Sequence, residues 1–458
     1  MKVRSDIVRL YKDVHGWVGI FCGLFLFTAF FAGAVTMFEA PLDRWLAPAV
    51  SLPAAPPLAA TPRLIAETLK SHPDARHGYS VVLAPDAASP ARLIWQKSDR
   101  HGPASDPDGE SGARFGASFG ADGTLVVATL PKSAAAKFID VLHQQIGLPF
   151  GFDTAMIFVG IICLLYALAL VSGVVVLLPS LVKDLFAMRL GKNIKRKWLD
   201  VHNALGLFSI PFHIVMALTS LVFAFHGLFY GAQNIALYGG KIDRLWDKPA
   251  VMHHAPGTPL LSPEAILTRL KQTAPGFTPT RLDYAQMRGV PHAGSRGQAA
   301  GKSAGVKGNP QAPVKPSGVG PMSLRVCGVD PRYGVRAITE GFAVVDPYDG
   351  AILQSEYLPG HQNGWYATLT AFFALHFGNY GGLSVRWGYF LLGLAGAFLF
   401  YTGNRLWVET RRRRNGGIDT QSTKALEKLT IGWTCGTIAG IALVLATAKA
   451  AQMMGYGT

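Results

Sequence analysis

The stretch DVHGWVGIFCGLFLFTAFFAG, residues 13–33, places a histidine directly before an apolar run of membrane length. Its opening returns much later in the chain as DVHNALGL, residues 200–207, and a second long apolar run follows. Each copy also carries a glycine about one helical turn after the histidine, Gly19 and Gly206. The repetition predicts two related membrane helices that each begin with a histidine.

The composition indicates a membrane protein. The 458 residues are 50% hydrophobic and 16% charged, and the mean hydropathy is +0.26. The apolar residues are concentrated in runs of about 20 residues or more, which suffice to cross a hydrocarbon core of ~30 Å. These runs cover residues 16–38, 154–178, 203–225, 387–408 and 429–449.

The net charge of +15 does not indicate a nucleic-acid-binding protein. The basic residues lie in short segments beside the apolar runs, before residue 13, in 179–197 and in the arginine run 411–414, without interleaved aromatic residues. Short segments rich in Lys and Arg are typical of the cytoplasmic side of a membrane. The pattern therefore predicts a cytoplasmic N-terminus, two large segments outside, a lipid bilayer as partner and no nucleic acid.

A second motif also repeats. Leu142-His143 precedes the second apolar run and Leu375-His376 precedes the fourth. Small residues recur at the far ends of the first four runs, at Ala32-Gly33, Ser172-Gly173, Thr219-Ser220 and Thr402-Gly403. The chain therefore reads as two copies of span, outside domain and span, followed by a fifth span.

Each outside segment resembles a small α+β unit. In both, a stretch with helical spacing of apolar residues (61–73 and 262–275) comes before strand-like sequence with Asp-Gly turn signals. Residues 293–320 form an insert rich in Gly, Ser, Pro and Lys, which is typical of a flexible loop.

These patterns predict an α-helical integral membrane protein with about five transmembrane helices, duplicated helix pairs and two small α+β domains outside the membrane. The predicted segments are helix 1 (13–38), the first outside domain (39–140), an interfacial segment with helix 2 (141–178), a basic loop (179–197), helix 3 (198–225), the second outside domain (226–361), an interfacial segment with helix 4 (362–408), a basic loop (409–428) and helix 5 (429–450).

The four repeated histidines predict two haem sites. His15 and His202 begin spans at the cytoplasmic side, whereas His143 and His376 precede spans at the outer side. Imidazole is a common iron ligand, and two histidines at the same depth can bind a haem iron from both faces. Glycines at positions 19 and 206 would leave room for a flat porphyrin. Iron with both axial positions filled favours electron transfer, because no position remains open for oxygen.

Two further residues are candidates with alternatives. His213 lies about three turns beyond His202 and is either a reserve ligand of the second haem or a hydrogen-bonding group at a haem edge; the first copy has Leu26 there. Arg386 is either a contact of a haem propionate or an interfacial anchor. Asp13 and Asp200, just before the repeated histidines, are expected to be helix N-caps.

Other features have plainer interpretations. The four cysteines show no paired spacing, so neither a disulfide framework nor an iron–sulfur or zinc site is expected. Gly432, Gly436 and Gly440 form a small-residue face on the fifth span, suited either to docking on the other helices or to a homodimer. Histidines outside the spans could contact substrate or metal, but surface positions explain them equally well: His226, His253, His254 and His361.

The order of these motifs resembles that of the PepSY-associated transmembrane proteins of bacterial inner membranes. The matching pieces are residues 13–33, LHQQIGLPFG (142–151), LVSGVVVLLP (170–179), WLDVHNALGLFSIPF (198–212), LHFGNYGGLSVRWG (375–388) and FLFYTGNRLW (398–407). The outside units resemble PepSY-type periplasmic domains at GADGTLV (120–126) and VDPYDGAIL (345–353).

The resemblance implies a ferric-siderophore reductase with two b-type haems, in which electrons from the cytoplasm reduce siderophore-bound Fe(III) in the periplasm. The haem ligands of the family fall here on His15, His143, His202 and His376. At His213 many members carry an apolar residue, and the lysine-rich insert also departs from the family pattern.

Two other functions stay open at this level. One is a transporter that moves iron or a siderophore without redox chemistry, and the other is an envelope binding or regulatory protein that uses its PepSY-like domains. The chain carries no G-x-G-x-x-G motif after a strand. Any electrons would therefore come from an unidentified cytoplasmic donor or from a quinol.

Overall fold

A computed structural model describes most of the chain. The described residues are 4–86, 89–97, 112–180, 193–237, 239–240, 254, 258–286, 322–337 and 339–455. The predicted flexible insert (293–320) and most of the predicted basic loop (179–197) lie outside these ranges.

The described part of the chain is mostly helical. Its helices are α1 (Ser5–Thr36), α2 (Glu39–Leu46), α3 (Thr61–Ser71), α4 (Ala134–Gln144), α5 (Phe152–Leu177), α6 (Ile194–Phe208), α7 (Ile210–Ala236), α8 (Pro263–Thr273), α9 (Gly364–Phe377), α10 (Gly382–Arg414) and α11 (Gln421–Met453). Five of them, α1, α5, α7, α10 and α11, are long and apolar enough to cross a membrane. The prediction of a membrane protein with about five spanning helices is confirmed at this level.

The helix starts differ from the expected ones. Helix α1 already begins at Ser5 and α6 at Ile194, so Asp13 and Asp200 lie inside helices. The prediction that they are N-caps was wrong. The side chain of Asn193 caps α6 by accepting a hydrogen bond from the backbone N–H of Arg196. Asp200 is buried and pairs with Arg196 at 3.0 Å, one helical turn earlier.

The predicted third span, 198–225, consists of two helices. Helix α6 ends at Phe208, Ser209 departs from helical geometry with φ −97° and ψ 5°, and α7 starts at Ile210. Pro211 explains the break, because it has no N–H to donate and its ring crowds the carbonyl group one turn earlier. His202 and His213 are therefore on different helices.

Helix α1 is the centre of the bundle. It packs against α10, α5, α4 and α11, while α5 contacts α7 and α10 contacts α6. Helix α11 docks through polar contacts, among them the bond from Trp433 Nε1 to Thr28 Oγ1 at 2.9 Å. Gly432, Gly436 and Gly440 are exposed and do not form this docking face. A homodimer through them remains a prediction.

The remaining core is an antiparallel sheet. Its strands are β1 (Gly78–Val82), β2 (Leu93–Gln96), β3 (Arg114–Phe119), β4 (Leu125–Thr129), β5 (Thr278–Gln286), β6 (Met322–Val329), β7 (Gly341–Val345) and β8 (Ile352–Gln354). Their order is β4-β3-β2-β1-β5-β6-β7-β8. Strands β1 to β4 come from the first predicted outside segment and β5 to β8 from the second.

The two predicted α+β units share a single sheet and a single core, which the sequence did not indicate. Strand β1 pairs with β5, placing Tyr79 opposite Tyr284 with their rings stacked 4.9 Å apart. Leu64 of α3 and Ile266 of α8 belong to the same apolar cluster on the sheet. The physical reason is that each four-stranded unit alone would leave the backbone groups of β1 or β5 unpaired at an edge.

Candidate functional site

The four repeated histidines lie on four different helices. His15 is on α1 and His202 on α6, whereas His143 and His376 occupy the last turns of the short helices α4 and α9. Helices α4 and α9 directly precede the candidate spans α5 and α10. The fold therefore places two of the histidines inside helices and the other two in the last turns of short helices.

The structure brings these histidines together in two pairs. The ring centroids of His15 and His202, the first pair, are 6.1 Å apart, with an angle of 70° between the ring planes. The ring centroids of His143 and His376, the second pair, are 6.2 Å apart, with an angle of 32°. These are the two partnerships that the duplicated motifs predicted.

In the first pair, each ring is held through Nδ1. His15 Nδ1 lies 2.8 Å from the carbonyl oxygen of Ala169 on α5. His202 Nδ1 lies 3.2 Å from the carbonyl oxygen of Leu399 and 3.0 Å from Thr402 Oγ1, both on α10. A carbonyl oxygen only accepts hydrogen bonds, so Nδ1 carries the hydrogen in both rings. Each Nε2 therefore presents a lone pair.

The second pair has the same tautomer. His143 Nδ1 donates to the carbonyl oxygen of Ala29 on α1 at 2.8 Å. His376 Nδ1 is 2.8 Å from Thr219 Oγ1, whose hydroxyl donates to the carbonyl of Val215 at 2.7 Å. Because the threonine hydrogen is already used, Thr219 accepts from His376. All four imidazoles thus have Nδ1 bound and an Nε2 lone pair available.

The repeated small residues lie where the rings pack. A Cβ atom at Gly33 would come within 2.8 Å of His143 Cε1, and one at Gly173 within 2.9 Å of His15 Cε1. At Gly403 the corresponding distance to His202 Cε1 is 3.3 Å. The small residues that recur in the sequence therefore leave the space in which the histidine rings pack, a role that the sequence did not reveal.

The supporting bonds follow the two halves of the chain. His15 and His143 bind to helices of the first half, α5 and α1, and His202 and His376 bind to helices of the second half, α10 and α7. Each pair, in contrast, joins one histidine from each half. A group held between the rings would consequently connect the two halves.

The donor set fits a metal held by two imidazoles. With metal–nitrogen bonds of about 2 Å, two coordinated rings have centroids roughly 6 Å apart, in agreement with both pairs. Nδ1–H bound to a carbonyl or hydroxyl oxygen is the usual second contact of a histidine that binds metal through Nε2. A Cβ at Gly19 would meet no atom within 4 Å, and one at Gly206 would meet only Leu399 Cδ1 at 3.7 Å, so both glycines leave space beside the first pair.

Electrostatics favours the neutral form that metal binding requires. Helix α9 is outside the five candidate spans, and burial there lowers the pKa of His376 to about 3, with a smaller contribution from the neighbouring His143. His376 is therefore neutral at physiological pH, and its Nε2 lone pair is free to bind a metal.

His213 is not part of either pair. It lies on α7 and is 1% exposed. Its Nδ1 is 2.5 Å from the phenol oxygen of Tyr166, and its ring contacts those of Phe30 and Phe400. No ring contact joins His213 to a paired histidine within the described residues. Arg386 lies just after the first turn of α10 and is partly buried, and its contact with a propionate remains a prediction.

A separate group at the sheet could also bind a metal. Ligand atoms of His254, Asp346 and Asp349 lie within 4.8 Å of one another, and His254 Nε2 is 2.9 Å from Asp346 Oδ2. Sequence reasoning did not combine these residues, because His254 is far from the DPYDG turn (346–350) in the chain. Asp346 also accepts a hydrogen bond from the backbone N–H of Tyr348, and Asp349 from that of Ala351, which reduces their capacity to bind a cation.

Comparison with known proteins supports the family resemblance. Residues 13–410 match the family described as the PepSY-associated TM region, so the match includes all four paired histidines. No curated protein matches the chain.

Proposed function

Because this chain belongs to the PepSY-associated TM family, we propose that it is a di-haem b reductase of the bacterial inner membrane. It passes electrons from a cytoplasmic or quinol donor to a ferric siderophore in the periplasm, and the Fe(II) that forms is released for uptake. The observation that carries this proposal is the arrangement of two facing histidine pairs, each with free Nε2 lone pairs and metal-compatible spacing.

The residues that would hold the cofactors are assigned by pair. His15 and His202 would hold one haem on the cytoplasmic side, and His143 and His376 the other on the periplasmic side. Bound haem would supply reversible one-electron chemistry. Ala169, Leu399, Ala29 and Thr219 orient the four rings and fix their tautomers.

The spacing of the pairs suits electron transfer across a membrane. Ala29, which holds His143, follows His15 on α1 by about four helical turns, or ~21 Å. That distance is comparable with most of a hydrocarbon core of ~30 Å. Aromatic side chains pack beside these supports, with Phe30, next to Ala29, and Phe400, next to Leu399, in contact at a centroid distance of 5.1 Å.

The distribution of charges supports the proposed orientation in the membrane. The arginine-rich end of α10 and the start of α6 lie beside the first pair, as expected for a cytoplasmic end. The sheet follows the other ends of the helices, so it would lie in the periplasm near the second pair. A siderophore reaching that side meets its electron source without crossing the membrane.

The first experiment is an absorption spectrum of the purified protein, oxidised and reduced with dithionite. We expect a Soret band and the sharp α-band of a low-spin haem b, with close to two haems per chain. Alanine at His15 and His202 should remove one haem, and alanine at His143 and His376 the other. His226→Ala is the matched control, since His226 is exposed and unpaired with another histidine.

The second experiment tests the acceptor. Reduced protein in nanodiscs is mixed with ferric siderophores, and haem reoxidation is followed together with the appearance of Fe(II) trapped by ferrozine. One Fe(II) per oxidised haem is the expected stoichiometry. A wild-type protein without haem would refute the proposal that this is a haem reductase. Reduced haem that no ferric siderophore oxidises would refute the proposal that ferric siderophore is the electron acceptor.

A further inference from the structure

Three helices contribute cations to one place beside the first histidine pair. Helix α1 contributes Lys12, about one turn before His15, and the start of α6 contributes Lys195. The last turn of α10 contributes Arg413 and Arg414. These four side chains, termed the basic cluster, come from segments that are far apart in the chain.

Contacts between the three helices fix the position of the basic cluster. Arg413 donates from Nη2 to Oδ1 of Asn193, the residue that caps α6, at 2.7 Å. The guanidinium carbon of Arg411, also in the last turn of α10, lies 5.8 Å from the ring centroid of Trp17 on α1. The end of α10 is therefore held against both α6 and α1.

The cations of the basic cluster repel one another. Burial lowers the pKa of Lys195, and so do three positive charges nearby, those of Lys12, Arg413 and Arg414. Like charges disfavour the protonated amine only at short range, so the four cations are close enough to interact. Holding them together costs free energy unless an anion is present.

Carboxylates only partly supply that anion within the described part of the chain. Glu409 offsets some of the repulsion at Lys195. It already pairs with Arg412 at 3.2 Å and with Arg413 at 3.3 Å. No described carboxylate forms an ion pair with the other three cations of the cluster, Lys12, Lys195 and Arg414. The unpaired charge therefore indicates an anionic ligand.

The depth of the cluster indicates a lipid headgroup as that ligand. Lys12 precedes the first apolar run (16–38) by about one turn, or ~6 Å, and Arg413 follows the fourth run (387–408) by five residues, or ~8 Å. The headgroup layer on each side of a hydrocarbon core is roughly 5–8 Å thick. Trp17 is 63% exposed, as aromatic residues at a membrane interface are. The cations would consequently lie level with the lipid phosphates.

We propose that the basic cluster is a binding site for the headgroup of an anionic phospholipid, and that a headgroup with two phosphates matches its unpaired charge best. Basic pockets between membrane helices suit such headgroups, because the phosphates offset the repulsion among the cations. The N-terminus of α6 adds a partial positive charge on the same side. The inference goes beyond the proposed function and requires no bound haem.

The test is native mass spectrometry of the full-length protein in detergent, titrated with cardiolipin, phosphatidylglycerol or phosphatidylcholine. The cluster variant combines Lys12→Gln, Lys195→Gln and Arg414→Gln. The control variant removes the same charge from exposed positions near the same end of the helices, through Arg4→Gln, Lys424→Gln and Lys428→Gln. NADH and FMN serve as soluble ligands that carry phosphate.

We expect wild type and the control variant to bind cardiolipin more tightly than phosphatidylcholine, and the cluster variant to bind cardiolipin about 10–100-fold more weakly. Cardiolipin should raise the thermal unfolding temperature of wild type but not that of the cluster variant. Without added lipid, the cluster variant should unfold at no lower temperature than the control variant, because it has lost a repulsion.

Equal affinity of the two variants for cardiolipin, or equal affinity of wild type for cardiolipin and phosphatidylcholine, would overturn the proposal. Binding of NADH or FMN that the cluster variant loses, while its affinity for cardiolipin is unchanged, would assign the site to a soluble ligand and would also overturn it. A lower unfolding temperature of the lipid-free cluster variant would contradict the repulsion on which the proposal rests.

Discussion

Alanine at Gly33 should weaken haem binding at the second histidine pair. The added Cβ would lie 2.8 Å from both Cε1 and Nδ1 of His143, whereas nonbonded carbon atoms prefer about 3.5–4.0 Å. The ring must therefore move by roughly 0.7 Å. Its hydrogen bond to the carbonyl oxygen of Ala29 is 2.8 Å long, and such a movement would break it or misalign it.

The magnitude follows from the role of that bond. Loss of a contact that orients a metal-binding histidine typically reduces metal affinity by about 10–100-fold, or ~1.4–2.8 kcal/mol. We expect Gly33→Ala to lower haem affinity at the second pair by an amount in this range. The clash at Gly403 is milder, 3.3 Å from His202 Cε1, so Gly403→Ala should have a smaller effect on the first pair.

The assay is the rate of haem transfer from each variant to excess apomyoglobin, together with the haem-to-protein ratio after purification. Gly436→Ala is the control, because it makes the same change of helix propensity on an exposed face with no atom within 4 Å of the new Cβ. Equal haem loss from Gly33→Ala and Gly436→Ala, or greater loss from Gly403→Ala than from Gly33→Ala, would refute the reasoning.

Three further predictions follow from the same geometry. The ring planes of the first pair are nearly perpendicular, and those of the second pair are closer to parallel. We therefore expect two distinct low-spin ferric EPR signals, of which the strongly anisotropic one belongs to the first pair and survives in His143→Ala. A single type of signal would contradict this prediction. Thr219→Val removes the acceptor of His376 Nδ1 and should reduce haem retention by about 10-fold. Thr402→Val should have a smaller effect, because the carbonyl oxygen of Leu399 still accepts from His202. Equal haem retention in the two variants would contradict this order. In the sheet, burial and then the nearby Asp283 carboxylate raise the pKa of Cys327 to about 12, so the thiolate fraction at pH 8 is on the order of 10⁻⁴. Maleimide should therefore label Cys327 slowly in folded protein and rapidly after denaturation, as measured by peptide mass spectrometry. Rapid labelling of the folded protein would show that this thiol is not buried.

Several features were predictable because they depend on single segments. A run of apolar residues long enough for a membrane is a local property, and four of the five runs correspond to one candidate span each. The third predicted span, which was expected to be one helix from residue 198, is instead divided at Ser209. Pro211 interrupts the helix there, and the chain continues as a separate helix, α7. The motifs at His15 and His202, and at His143 and His376, also indicated which histidines share a layer, because duplication repeats their positions.

The tertiary structure alone decided the contacts between segments that are distant in the chain. The pairing of β1 with β5 merges two apparent domains into one sheet, and it depends on two edges meeting in space. The tautomers of the paired histidines depend on carbonyl and hydroxyl oxygens of neighbouring helices. Sequence by itself determined that repeated histidines accompany the long apolar runs of a membrane protein. Only the packing of those elements determined which ring atom carries the hydrogen, because a hydrogen bond requires two atoms at a defined distance and angle, and neighbours in the chain do not supply them here.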